Sequence, residues 1–170
     1  MKNRSTLTWN FFFVLAGITL FGCKPEPTLE LTKGTRIALV GNNLGSRMME
    51  YGGLETELHL RYPDSTLFIR NLCDPGDTPG FRPRSGTNDP WAFPGAEQFQ
   101  DEYATNSGSE GFFEKPDQWL TRLQADVVIG FFGFNESFQG PEKLENFKQE
   151  LEAWILHSKA QRYNGKAAPQ

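Results

Sequence analysis

The chain has 170 residues, with 17 lysines and arginines against 21 aspartates and glutamates and a formal net charge of −4. That length holds one compact domain with at most a short appendage. A hydrophobic share of 38% with 14% aromatics supplies a core and argues against wholesale disorder. The acidic balance, without a long Lys/Arg run, argues against nucleic acid as a partner. Two cysteines argue against a disulfide scaffold or a Cys-rich zinc module. His59 and His157 stand far apart with no His/Cys cluster around either, so no dedicated metal site and no cofactor are predicted.

Residues 1–22 read as an export signal. Lys2 and Arg4 form a positive start, and residues 11–20 (FFFVLAGITL) form an apolar stretch too short to span a bilayer comfortably. The stretch runs into Leu20-Phe21-Gly22-Cys23, which resembles a bacterial lipobox. That resemblance implies cleavage before Cys23, lipidation of Cys23 and a membrane-anchored lipoprotein of the cell envelope; an ordinary secretory signal is the alternative. Residues 23–34 then read as a tether, because Pro25 and Pro27 disfavour helix. Cys73 is left without an intramolecular partner and reads as a buried free thiol, with no neighbouring His or Lys in sequence to activate it.

The first element of the mature chain is residues 36–40 (RIALV), an apolar run stopped by Gly41 that predicts a buried strand. Residues 41–45 (GNNLG) predict a turn, with Ser46 capping a helix through Met48, Met49, Leu54, Leu58 and His59. Gly52-Gly53 is a point where that helix can break. Residues 65–71 (STLFIRN) predict a second strand, so the segment reads as a βαβ unit with a parallel sheet. Residues 72–115 lack periodicity but are rich in prolines and aromatics, among them Phe81, Trp91, Phe93, Phe99 and Tyr103. They read as an ordered excursion over one end of the sheet, with a short helix near residues 97–103. Trp91 and Phe93 suit loop packing better than a sugar platform. A short helix begins at Pro116, and residues 125–132 (ADVVIGFF) predict a third strand, apolar on both faces as a central parallel strand is. Residues 133–138 predict a loop, and Pro141 opens a long helix with a stripe of Leu144, Phe147, Leu151, Trp154 and Ile155. His157 reads as a residue on the surface of that helix.

The strands would end in Gly41-Asn42-Asn43, Asp74-Pro75-Gly76-Asp77 and Gly133-Phe134-Asn135-Glu136. In an open parallel sheet, ligands bind beyond the carboxyl ends of the strands, so these loops mark one candidate site. Each carries a glycine that permits close backbone approach, and a short polar side chain. Asn42-Asn43 equally suits a strand-to-helix turn, Asn135 an Asx turn, and Gly76-Asp77 a simple turn after Pro75.

These three loops resemble those of the SGNH (GDSL-type) hydrolases, from about residue 36 onward. The resemblance implies an α/β fold: a three-layer, flavodoxin-like parallel sheet. It implies ester hydrolysis through an acyl-enzyme, with an oxyanion hole. Gly76 matches the glycine whose N–H donates to the oxyanion, and Gly133-Phe134-Asn135-Glu136 matches Gly-x-Asn-Asp, with Asn135 as the side-chain donor. Gly41 matches the first glycine. Asn42 replaces the family's Asp, Asn43 occupies the place of the nucleophilic Ser, and no Asp-x-x-His is present. The chain most resembles the exported bacterial subset found beside membrane-bound-dehydrogenase-like and haem-binding regions; the segments that carry this resemblance are Arg70-Asn71-Leu72, Pro90-Trp91-Ala92-Phe93-Pro94-Gly95 and residues 131–138. No Cys-x-x-Cys-His is present for a haem. The implied function is an esterase or acylhydrolase-like domain, inactive or impaired, with an acylated carbohydrate or other ester as ligand. The alternative is a non-catalytic ligand-binding (glycan) or assembly module.

A sheet of order 2-1-3-4-5 needs two strands more than the three predicted. The third strand would then be an open apolar edge, which is an aggregation hazard. The chain is therefore predicted to be a fragment truncated after its third strand and following helix, or to need a partner over that edge.

Overall fold

The computed structural model describes residues 28–82, 91–99 and 115–170. The proposed export signal and Cys23 lie outside the described residues. Three strands, β1 (Arg36–Gly41), β2 (Phe68–Asn71) and β3 (Val127–Phe131), form an open parallel sheet in the order β2-β1-β3. The fold is a mixed α/β sheet with helices on both faces. Ile37 pairs with Ile69 on one side and Val127 on the other, so β1 is the central strand.

Alternate residues of β1 feed two cores, as the two-residue period of a strand requires. Ile37 and Leu39 pack with Leu67, Cys73 and Val127 against Leu54 and Leu58 of the first helical layer. Leu31, within the stretch read as a tether, joins this cluster. Ala38 packs on the other face with Leu120, Ala125 and Tyr163. A third cluster joins Ala92, Phe93 and Ala96 to Ala153 and Trp154.

Several element boundaries differ from the sequence reading. The first helix begins at Asn43, not Ser46: α1 is Asn43–Tyr51, and the Ser46 N–H bonds to the Asn42 carbonyl inside its first turn. The periodic segment breaks at Gly52, whose φ of 60° takes the left-handed conformation, and α2 (Gly53–Arg61) follows. β2 is shorter than predicted because Thr66 has φ 48°, so pairing starts only at Phe68. The short helix of the excursion is a 3-10 turn at Ala96–Phe99, while residues 100–103 lie outside the described residues.

The carboxyl half follows the predicted order with three corrections. α3 is Pro116–Leu123. The loop after β3 contains one helical turn, α4 (Phe134–Ser137). Pro141 opens a 3-10 turn, Pro141–Lys143, and the long helix α5 is Leu144–Ala160. The predicted stripe of α5 is rotated: Leu144 and Ile155 are exposed, whereas Glu150 is buried and Ala153 and Trp154 pack on residues 91–99.

β3 is an outer strand rather than a central one. On its open side Gln170 adds one residue in parallel register: its N–H donates to the Asp126 carbonyl and its carbonyl accepts from Val128 N–H, both at 2.9 Å. No helix among the described residues is long and apolar enough to cross a membrane.

Gly41 decides whether β1 can end where it does. Its φ is 122°, and a Cβ there would meet the Phe131 carbonyl at a separation no real side chain shows. Replacing it with alanine combines backbone strain with a steric clash. Gly41→Ala is expected to lose at least about 2 kcal/mol of unfolding free energy in urea titrations.

Candidate functional site at the carboxyl ends of the strands

The three loops do converge, and hydrogen bonds join each pair. The Asp74 N–H donates to the Gly41 carbonyl at 2.9 Å, linking the first loop to the second. Asn135 Nδ2 donates to the Asp77 carbonyl at 3.2 Å, linking the third to the second. Asn42 Nδ2 donates to Glu136 Oε2 at 3.3 Å, linking the first to the third. Each junction is built on a loop that follows a strand of one sheet, so the sheet itself sets their spacing.

Asn42 is at the hinge of this arrangement and is fully buried. Its N–H donates to the Phe131 carbonyl, and its carbonyl accepts from Ser46 N–H. It holds the N-cap position of α1 without a side-chain cap bond, and its Nδ2 is turned to Glu136. Asn43, at the position matched to the nucleophile, is the first residue of α1 and half-buried. Gly45 lets α1 seat closely on the strand ends, since a Cβ there would collide with Cys73 Sγ.

The carboxylates at this edge sit in protein rather than in water. Glu136 is 7% exposed and Asp77 is 2% exposed. Glu136 Oε2 accepts from Gly133 N–H at 2.8 Å, the back-bond of a capping box at the start of α4. Burial raises the Glu136 carboxyl above its ordinary value, and the Gly133 and Asn42 hydrogen bonds only partly offset it. Burial also pushes Asp77 up to about 7; Arg82 pulls the other way and Asp74 adds to the rise. The 2.8 Å contact from Arg82 Nε to Asp77 Oδ2 coexists with this raised value because it reaches only one oxygen. Asp77 Oδ1 is buried without a hydrogen-bond partner, so desolvation of the charge prevails.

Cys73 is buried and free, as the sequence predicts. Burial, with a contribution from Asp77, pushes its thiol up to about 12, which leaves essentially no thiolate at neutral pH. Gly76 has φ 105° and supplies the turn between Asp74 and Asp77. A cavity of about 30 Å³, lined by Gly41, Asp77, Arg82, Leu120, Phe132 and Trp154, lies beneath these loops. It has room for about one water and not for a substrate.

His157 corrects the sequence reading of a surface residue. Its Nε2 lies 2.8 Å from Asp117 Oδ2, and its ring stacks on Phe93 at 5.7 Å. Tyr163 donates its hydroxyl to the other Asp117 oxygen at 2.8 Å. These contacts tie α3 to α5 and the following tail; His157 makes no hydrogen bond to Asn43 or Asn135. Trp91 and Phe93 serve loop packing, as expected: Trp91 bridges Phe81 with rings 5.2 Å apart, and Phe93 is buried. His59 lies on α2 beside Glu55 at 3.8 Å.

Two contributors were not singled out from sequence. Glu150 Oε1 accepts from Thr78 Oγ1 at 2.6 Å and Gly80 N–H at 2.9 Å, pinning α5 to the second loop. A helical spacing places Glu150 beside Phe147, Leu151 and Trp154, and that was its available signal. Asp117 had no such signal, since it pairs with residues forty or more positions away. Among the described residues, no group of three His, Cys, Asp or Glu side chains has the geometry to hold a metal ion.

No protein-family model, curated protein or solved structure matches this chain.

The raised Asp77 carboxyl sets a direction for stability against pH. Its folded value of about 7 exceeds the ordinary 3.8, so between about pH 4 and 7 the folded chain holds a proton that the unfolded chain has released. Its contribution to stability therefore falls as pH rises through that window and is level above it. Relative to wild type, Asp77→Asn is expected to gain stability from pH 4 to pH 7, by up to roughly 4 kcal/mol in paired urea titrations.

Proposed function

We propose that this chain carries an SGNH/GDSL-like domain of flavodoxin-like topology in which the strand-end edge binds a ligand and no longer hydrolyses it. The observation that carries this reading is the identity and setting of the residues at the nucleophile position. Asn43 opens α1, and a carboxamide there is no nucleophile. The buried Asn42 beneath it is committed to Glu136. The nearby thiol is held protonated by burial. His157 is tied to Asp117 and makes no hydrogen bond to Asn43, so it is not placed as a base for this position.

Of the donors matched to an oxyanion hole, the Asn135 amide is engaged as well. Asn135 Nδ2 is turned onto the Asp77 carbonyl. A tetrahedral intermediate needs donors aimed at the oxygen where charge develops, and this one is aimed at the protein. The frame of the site is therefore retained while its chemistry is not. The sequence order of the sheet, β2-β1-β3, agrees with the first three strands of a 2-1-3-4-5 arrangement and supports the family reading.

The ligand implied by the family is an acylated carbohydrate or another ester. The exposed rings of Phe134 and Phe138 and the side chain of Leu44 offer it an apolar rim beside the polar loops. By the same reading the protein is exported and anchored through a lipidated Cys23. The second reading, an impaired esterase, predicts residual turnover and is separated by one assay. Incubation with a fluorophosphonate and with nitrophenyl acetate is expected to give no covalent label and no turnover above buffer. Turnover that disappears in Asn135→Ala, together with labelling, would establish a working hydrolase and overturn the proposal.

A further inference from the structure

Acceptor atoms at the strand-end edge that are buried without a partner include Asn42 Oδ1, Glu136 Oε1 and Asp77 Oδ1. Two of them belong to side chains already in contact with each other. Glu136 Oε2 takes two donors, Gly133 N–H at 2.8 Å and Asn42 Nδ2 at 3.3 Å, while its Oε1 takes none. Two donors are within the capacity of a carbonyl oxygen, so Oε2 can be the carbonyl of a neutral acid. The other is then placed to be a hydroxyl, and the carboxamide oxygen of Asn42 is the acceptor that lacks a donor.

We infer that Glu136 carries a proton on Oε1 and donates it to Asn42 Oδ1, so that the two side chains close a carboxylic acid–carboxamide ring of two hydrogen bonds. One proton satisfies both orphaned atoms. Without it, two buried oxygens face protein with no donor, and an unmade hydrogen bond in that setting is expensive. Burial favours the same protonation state, because it penalises the charged carboxylate.

The ring ties the end of β1 to the turn after β3. It makes the edge a clasp whose closure depends on one proton. Deprotonation would leave a carboxylate against the Asn42 oxygen and would loosen the first loop from the third. The groups around Glu136 are few. Its own turn supplies the Gly133 N–H, and α1 is represented by the neutral Asn42. Lys143 lines a shared cavity from the 3-10 turn before α5. Asp77 and Arg82 stand behind Asn135 in the second loop. The inference does not depend on what the edge binds.

Carbon-13 titration of the glutamate side chains in the full chain tests it, with Glu136 assigned through its contact to the Gly133 amide. Glu136 is expected to remain a neutral acid at pH 6, well above the value near 4.3 of a glutamate in a model peptide. Ionisation of Glu136 in step with the exposed glutamates would overturn the inference. Glu136→Gln supplies a second reading, since glutamine is the neutral isostere that can make both hydrogen bonds. The variant is expected to fold and to keep the Asn42 side-chain amide slow to exchange. A variant that fails to fold, or whose Asn42 amide exchanges as fast as exposed amides, would contradict it.

Discussion

The structure turns on the burial of Asn42. This one residue ends β1, caps α1 and reaches across to the turn after β3. Its backbone bonds to Phe131 and Ser46, and its side chain to Glu136. Gly41 makes this possible by admitting the Phe131 carbonyl where any Cβ would stand. Because Asn42 lies at the central strand, the same contacts fix where α1 starts and how closely it seats on Cys73. The second loop is then held to the first by Asp74 and to the third by Asn135.

This arrangement makes a closed polar edge. Donors that could meet a substrate instead meet protein acceptors. The carboxylates that could act on a substrate are buried, and burial moves them toward their neutral forms. Glu150 extends the same principle outward, anchoring α5 to the second loop through two hydrogen bonds. Asp117 does so on the other side, bridging His157 and Tyr163. Polar side chains here act as ties between segments distant in sequence.

The strands and their order along the chain were legible because β1 and β3 are short apolar runs bounded by glycine or a charged residue. The convergence of the three loops followed from parallel pairing alone. What the sequence hid has physical causes. Ser46 looks like a cap, yet the helix starts three residues earlier because Asn42 is drawn into the sheet edge. Thr66 adopts a left-handed turn that a threonine does not advertise, so β2 begins late. The buried face of α5 differs from the predicted stripe because its partners include the segment 91–99 as well as Gly130 and Phe132 at the end of β3. The segment 91–99 selects Asn146, Ala153, Trp154 and His157, and the second loop selects Glu150, which together give a face rotated from the most apolar one. Of the candidate residues found by motif spacing, Asn42 and Asn135 tie the loops together at one edge. Their engagement with Glu136 and Asp77 could not be read from spacing, because it depends on side-chain direction.

The central claim is that Asn42 is the structural hub of the strand ends rather than a ligand contact. Equilibrium unfolding of Asn42→Ala measures it most directly. The account predicts a loss of about 2–4 kcal/mol, from a buried hydrogen bond removed and a buried carboxyl left without its partner. A loss under about 0.5 kcal/mol would show that the strand ends hold together without it and would contradict the account.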